Sequence, residues 1–268
     1  MQFRQLATFY ILALAISWTC WLAMPGAQEA GATSPLRALH LIGSLGPALA
    51  ALVVAIWSGP RARSEFARGL GLRGVPAQAW LVGIGGPLVL LAAGLGVTCA
   101  LSGRAPQLDL VLTSAEYPWL SGAALIAAQL ICYGFGEELG WRQFALPRLL
   151  ERLSPLSASL WLTLPWALWH LPLFFSQPTY AAMGLPEIAG WLASLATGSV
   201  LLGWLWLASN RSVWPVALFH GLLDLAMVNP EVGATGRNAA GALVTFAGIA
   251  AAVALYRVAR HAAAMEAV

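Results

Sequence analysis

The chain has 268 residues, of which 59% are hydrophobic and only 9% are charged. A soluble domain carries about 25% charged residues, so this composition excludes an ordinary water-soluble protein. The net charge of +3 comes entirely from arginine, because the chain has no lysine. These arginines lie in short loops between apolar runs and form no aromatic-interleaved basic face, which excludes a nucleic-acid-binding protein.

Eight apolar runs are candidates for membrane-spanning helices, each of which needs about 20 mostly apolar residues to cross about 30 Å of hydrocarbon. In chain order they are Leu6–Met24, Leu39–Trp57, Ala79–Leu101, Pro118–Phe135, Pro155–Phe175, Ile188–Leu207, Val213–Val228 and Ala239–Val258. The sequence therefore predicts an all-α, polytopic transmembrane bundle of about eight spans, with residues 1–268 forming a single integral membrane domain. The first run is followed by the small residues Ala27 and Ala30, as a signal peptide would be, but its length predicts a retained helix.

Arginine is distributed unevenly between the two sides of this predicted bundle. One side carries Arg61, Arg63, Arg68, Arg73, Arg142, Arg148, Arg152, Arg211, Arg257 and Arg260. The other side has Arg37, Arg104 and Arg237 together with most of the loop carboxylates. The positive-inside rule predicts that the arginine-rich side and both termini are cytoplasmic. Without lysine and with abundant alanine and glycine, the composition suggests a GC-rich bacterium, and thus its inner (plasma) membrane.

Three groups of polar residues lie within or at the end of apolar spans, where charge is costly and often functional. They are Glu137-Glu138-Leu-Gly-Trp-Arg142 in the fourth span, Trp166-Ala-Leu-Trp-His170 in the fifth, and His220-Gly-Leu-Leu-Asp224 in the seventh. Taken singly, each has a structural alternative: an interfacial charge cluster or a histidine that only packs and hydrogen bonds. Their combination favours a functional site. The other histidines, His40 and His261, are near a span end or in the tail and are expected to be solvated.

Spacing along the chain relates the first two groups. Ser154 and Pro155 predict a turn between the fourth and fifth spans. Glu137 lies 17 residues before Ser154 and His170 lies 16 after it. Two antiparallel helices would then hold both residues ~25 Å from the turn, at one depth. Because Glu137 ends a span that runs toward the arginine-rich side, the predicted cavity opens to that side.

Two further pairs are separated by one helical turn. Glu138 and Arg142 are four residues apart, as are His220 and Asp224, so each pair shares a helix face. Arg142 would neutralise Glu138 and lower the cost of a second carboxylate beside it.

The three motifs resemble those of the CPBP family, the CAAX prenyl-protease and bacteriocin-processing intramembrane proteases. The resemblance covers about Pro118–Pro230, the predicted catalytic core; Trp166 stands where the family pattern has Phe, and Asp224 where relatives carry Asn or Asp. The resemblance implies hydrolysis of a peptide bond within the bilayer. It assigns water activation to Glu137 and His170, oxyanion stabilisation to His220 and Asp224, and support of that geometry to Glu138 and Arg142.

The metal requirement and the substrate stay open at this point. Glu137, His170 and His220 could hold zinc with water in the fourth position, but a metal-free, glutamate-activated water uses the same residues, and we favour it. The substrate could be a prenylated C-terminus, a secreted-peptide leader or a membrane-protein segment.

Two alternative functions are considered. One is a non-enzymatic bacteriocin-immunity or peptide-binding membrane protein, which would not need these acid–base groups. The other is a small transporter, which the lack of an inverted repeat disfavours.

Overall fold

The computed structural model of the chain describes residues 2–24 and 35–266. Within these residues the secondary structure is helical apart from one isolated β-bridge between Thr113 and Ser121. The predicted all-α class is therefore confirmed. Four residues named in the sequence analysis lie outside this description: Ala27, Ala30 and, for their side chains, Arg260 and His261.

Fifteen α-helices are found in the described part of the chain. They are α1 (Gln2–Leu22), α2 (Ala38–Ser44), α3 (Gly46–Trp57), α4 (Pro60–Arg68), α5 (Ala77–Trp80), α6 (Gly86–Ser102), α7 (Gly122–Ala128), α8 (Gly136–Gly140), α9 (Leu146–Leu149), α10 (Pro155–Trp169), α11 (Leu173–Ser176), α12 (Pro178–Ala181), α13 (Leu185–Ala208), α14 (Trp214–Val228) and α15 (Gly233–Glu266). Three π-helical turns join neighbouring helices: Leu81–Gly85, Gln129–Phe135 and Trp141–Ala145. Short 3-10 turns occupy Pro35–Arg37, Leu108–Leu110 and Pro230–Val232.

Each of the eight predicted spans coincides with a helical segment. Five segments of the described chain are long and apolar enough to cross a membrane: Phe3–Leu22, Ala38–Trp57, Ala77–Ser102, Leu185–Ala208 and Pro230–Val258. These five make the chain a multi-pass membrane protein. The exact number of spans stays a prediction, because α10 and α14 have only 15 residues each.

The fourth segment differs from its prediction, because the helix does not end at Phe135 but continues from α7 through α9 to Leu149. Two π-turns flank α8, and such turns often mark functional sites. Glycines let this segment approach α2 and α3 closely: a Cβ on Gly136 would lie 2.8 Å from the carbonyl oxygen of Ser44, and one on Gly140 2.7 Å from the carbonyl carbon of Pro47. The two glutamates of α8 are thereby held in mid-helix.

Loop contacts define two distinct ends of the bundle. At the arginine-rich end (the loops of residues 58–76 and 209–213), Gln143 Nε2 donates to the carbonyls of Glu65 and Phe66 at 3.3 and 3.2 Å. At the arginine-poor end (the loops of residues 103–121 and 170–184), the backbone N–H of Ala115 donates to the carbonyl of Val228 at 3.4 Å. Which end is cytoplasmic stays a prediction.

Buried tryptophans connect α1 to the segment that carries the candidate site. The rings of Trp21 and Trp141 lie 4.4 and 5.8 Å from that of Trp169. Trp169 Nε1 donates to Ser17 Oγ at 2.6 Å, and Ser17 Oγ donates to the carbonyl of Gly43 at 2.7 Å. These tryptophans serve as core residues and fix the position of the C-terminal end of α10.

Candidate active site

Helices α8, α10 and α14 bring four of the predicted polar residues to one small cavity. Glu137, His170, His220 and Asp224 all line a cavity of about 150 Å³. At about 30 Å³ per water, it has room for several water molecules or a peptide group. The predicted convergence of these four side chains is confirmed. Their catalytic roles stay predictions.

Glu137 is held by an indole that the sequence did not mark as functional. Trp166 Nε1 donates to Glu137 Oε2 at 2.8 Å, and both side chains are buried. Among the described residues, no hydrogen-bond partner is found for the other carboxylate oxygen, which leaves it available to water in the cavity. The Phe of the family pattern has no N–H, so the Trp166 substitution supplies a bond that the pattern lacks.

Trp166→Phe should therefore lower the hydrolytic activity expected of this site by about 10–100-fold. The change keeps an aromatic ring but removes a hydrogen bond to a charged group, worth about 1.5–3 kcal/mol, and 1.4 kcal/mol is tenfold in rate. The measurement is kcat/KM of both proteins in detergent. Trp161→Phe on the same helix, where the ring is exposed, is the matched control; equal effects of the two changes would refute the role of the indole.

His170 has a defined tautomer and a fixed ring. Its Nδ1 lies 2.7 Å from the carbonyl oxygen of Trp166. A carbonyl can only accept, so Nδ1 carries the proton and Nε2 of the neutral ring keeps its lone pair. The ring is stacked on Tyr180 and edge-on to Trp191, at centroid distances of 6.1 and 5.5 Å. His170 can thus accept a proton or hydrogen bond at Nε2.

Glu138 bridges two of the three motifs. Its Oε1 accepts from Arg142 Nη1 at 2.8 Å and from His220 Nδ1 at 2.7 Å. Glu138 and Arg142 are both completely buried, and the guanidinium lies 4.3 Å from the centre of the Trp166 ring. The predicted Glu138–Arg142 pair is confirmed, and it extends to His220, which the sequence did not predict.

The other ring nitrogen of His220 faces Asp224, the carboxylate on the same helix. His220 Nε2 lies 3.4 Å from Asp224 Oδ2, which confirms that the two side chains share one face of α14. Both ring nitrogens of His220 therefore face carboxylate oxygens. A doubly protonated ring has an N–H for each of them.

The alternative of a zinc ion held by Glu137, His170 and His220 does not match the geometry of these residues. No group of three His, Cys, Asp or Glu side chains in the described part of the chain has a spacing that could hold a metal ion. His220, one of the three residues of that alternative, has Nδ1 in a hydrogen bond to Glu138 and Nε2 at 3.4 Å from Asp224 Oδ2. These residues do not fit a zinc ion held by Glu137, His170 and His220, and no step below uses one.

His40 and Glu116 line the same cavity, although neither was predicted as a site residue. His40 was expected to be solvated, but it is only 8% exposed. The expectation fails because the loop of residues 103–121 folds against α2 and brings Glu116 Oε1 to 2.5 Å from His40 Nδ1. The two residues are 76 positions apart, so no local sequence signal could have paired them.

The cavity lies toward the arginine-poor end, so the predicted opening to the arginine-rich side is wrong. Its wall includes Glu116, Tyr180 and Val228, whereas no lining residue comes from the loops that define the arginine-rich end. The prediction failed because the helix runs 12 residues past Glu137, to Leu149.

A groove of about 810 Å³ beside α13, α14 and α15 shares His170, His220 and Asp224 with the cavity.

The arrangement defines a class of protein: a helical membrane protein with acid–base groups buried around a small cavity. Residues 118–226 match the sequence model of the Rce1-like family, described as type II CAAX prenyl endopeptidase Rce1-like. A relative from Methanococcus maripaludis, named CAAX prenyl protease 2, is 30% identical over 93 residues. The resemblance to CAAX prenyl proteases that the motifs predict is therefore confirmed over this part of the chain.

The match to the relative is confined to part of each protein. It covers 33% of this chain and 34% of the length of the relative. The family match begins at Pro118 and includes all three motifs. It does not include α1–α6, which contribute His40 to the cavity.

Proposed function

We propose that the chain is an intramembrane endopeptidase that hydrolyses a peptide bond in the cavity around Glu137. The main support is that Glu137, His170, His220 and Asp224, from three separate motifs, line one buried cavity. Ionisable side chains are costly to place within a membrane, so a group of them there usually marks a functional site. We further propose that residues 118–230 form the catalytic core and that both termini are on the cytoplasmic side of the inner membrane.

In this mechanism Glu137 and His170 activate water. Trp166 orients the Glu137 carboxylate through its indole N–H, which leaves the second oxygen to accept a proton from water. His170 Nε2 accepts a hydrogen bond from the same water and directs its oxygen toward the scissile carbonyl carbon. A base positioned in this way typically contributes about 10²–10⁴-fold to the rate.

His220 stabilises the negative charge that develops on the carbonyl oxygen. Glu138 holds the ring through Nδ1, and Arg142 balances the charge of Glu138. His220 Nε2 lies 3.4 Å from Asp224 Oδ2, too far for a strong hydrogen bond, so its N–H is available to the carbonyl oxygen. A fixed, desolvated donor acts strongly on an oxyanion because it need not reorganise during the reaction. Glu138 and Arg142 act as positioning residues that do not touch the substrate.

The groove beside α13, α14 and α15 gives substrate a path to this cavity. It reaches His170, His220 and Asp224 and is lined largely by apolar side chains such as Leu201, Phe219 and Val244. An apolar wall accommodates a hydrophobic peptide or a segment of a membrane protein. We propose that such a segment enters from the bilayer.

A comparison of membrane peptides tests the proposal. Cells that carry the intact protein and cells that carry Glu137→Ala would be analysed by mass spectrometry for new peptide termini in the membrane fraction. We expect termini that appear only with the intact protein. Identical sets of termini would contradict the peptidase and favour the non-enzymatic peptide-binding alternative.

A further inference from the structure

A second acid–base pair, outside the three motifs, faces the same cavity. Glu116 Oε1 lies 2.5 Å from His40 Nδ1, and both residues line the cavity together with Glu137 and His170. Glu116 also accepts a hydrogen bond from Tyr117 at 2.6 Å and one from Gln177. The carboxylate therefore has several donors, of which His40 is the one exposed to the cavity.

The free nitrogen of His40 is the important feature of this pair. The nitrogen of the His40 ring that faces other side chains is Nδ1, which lies within 3.0 Å of Glu116 Oε1, of the Tyr117 and Tyr133 hydroxyls and of Gln177 Nε2. For Nε2, no partner is found among the residues that the structure describes. Since the ring lines the cavity, Nε2 is the nitrogen available to a bound peptide.

The three histidines around the cavity differ in the partners of their nitrogens. His220 has carboxylates at both nitrogens, and His170 has a neutral carbonyl at Nδ1. His40 combines a carboxylate at Nδ1 with an unengaged Nε2. A carboxylate at one nitrogen stabilises the imidazolium while the other nitrogen transfers the proton, as in the dyads of hydrolases. His40 is thus suited to donate a proton.

The electrostatics of Glu116, in the loop of residues 103–121, support an ionised partner. Burial alone would raise the pKa of the Glu116 carboxyl, but the nearby His40 and the hydrogen bonds from Tyr117 and Gln177 outweigh burial and lower its pKa below the ordinary value. An ionised carboxylate accepts hydrogen bonds only. Glu116 is therefore the acceptor in its contact with His40 Nδ1.

We propose that His40, oriented by Glu116, is the general acid that protonates the leaving nitrogen. This inference rests on the proposed peptidase function. Glu137 takes one proton from water as the water oxygen bonds to the carbonyl carbon. The carbon–nitrogen bond then breaks as the nitrogen takes the proton of His40 Nε2. The proton on Glu137 returns to His40 through water in the cavity, so that water is added across the bond and both groups are restored.

A pair of substrates that differ only in the leaving group tests this role. An amine leaves only when protonated, whereas p-nitrophenolate leaves without a proton. The probes are an acetylated apolar peptide p-nitroanilide and the p-nitrophenyl ester of the same peptide, assayed in detergent. His40→Asn is the appropriate variant, because its amide N–H can still reach Glu116 while the proton donor at Nε2 is removed.

We expect His40→Asn to lower kcat/KM for the anilide by about 10²–10⁴-fold and for the ester by less than about tenfold. Glu116→Gln should shift the anilide-to-ester ratio in the same direction, by a smaller factor. Asp109→Asn changes an exposed carboxyl in the same loop that does not line the cavity, so it should leave the ratio unchanged. The ratio is independent of how much of each preparation is folded.

Two results would overturn the proposal in different ways. Equal losses on anilide and ester in His40→Asn would show that His40 is not the acid, even if Glu137→Gln inactivates the protein on both probes. Retention of both activities in Glu137→Gln would instead remove the peptidase function itself and, with it, the role of His40.

Discussion

Glu137→Gln should slow hydrolysis of both the anilide and the ester by about 10²–10⁴-fold, the usual effect of losing a general base. The amide has nearly the size and shape of the carboxylate, and its oxygen can still accept the indole N–H of Trp166, the hydrogen bond that Glu137 makes at 2.8 Å. What is lost is the oxygen that accepts a proton from water. The variant should therefore be inactive and melt at the temperature of the unchanged protein.

The matched control for this change is Glu151→Gln. Glu151 is exposed between α9 and α10 and does not line the cavity. Its replacement by Gln removes one carboxylate, as Glu137→Gln does, but leaves the cavity unchanged. We expect its kcat/KM on both probes to match that of the unchanged protein. Full activity in Glu137→Gln would rule out water activation by Glu137, whereas a lowered melting temperature would assign this side chain to the fold.

Local spacing was sufficient to predict the residues of the motifs. Glu138 with Arg142 and His220 with Asp224 are each four residues apart, and helix geometry alone places such side chains on one face. The turn at Ser154 likewise follows from local chemistry, since Ser154 accepts from the backbone N–H of Ser157 at 3.2 Å and so caps α10. Elements of this kind can be predicted because the interactions that form them are close in sequence.

The rest of the site depends on tertiary packing. The pairing of His40 with Glu116 forms only when the loop of residues 103–121 folds against α2, which no periodicity indicates. The end of the fourth helix was missed because π-turns and close packing at Gly136 and Gly140 carry the helix past its apolar run. That error also reversed the predicted position of the cavity, since Glu137 was taken as a terminal residue.

Glu138 illustrates how burial converts a local pair into a structural requirement. Its Oε1 serves Arg142 and His220 together, and Oε2 is buried without a hydrogen-bond partner in the described part of the chain. For two buried nitrogens of Arg142, Nε and Nη2, no hydrogen-bond partner is found among the described residues either. With so few hydrogen bonds, the opposite charges of Glu138 and Arg142 stabilise each other. Removal of either charge leaves the other buried and uncompensated.

Glu138→Gln should consequently destabilise the protein by about 3–5 kcal/mol, the usual cost of breaking a buried ion pair. For a chain of this size that corresponds to a fall in melting temperature on the order of 10 °C. The measurement is thermal unfolding in detergent, with Glu137→Gln as the isosteric comparison within the site. Glu65→Gln is the surface control, because its pair with Arg61 at 2.9 Å is exposed and such pairs contribute about 0–1 kcal/mol. If Glu138→Gln melts no earlier than Glu65→Gln, the charge of Glu138 is not needed to balance Arg142. Its hydrogen bond to His220 would then be its main contribution, and the loss in the variant would be confined to catalysis.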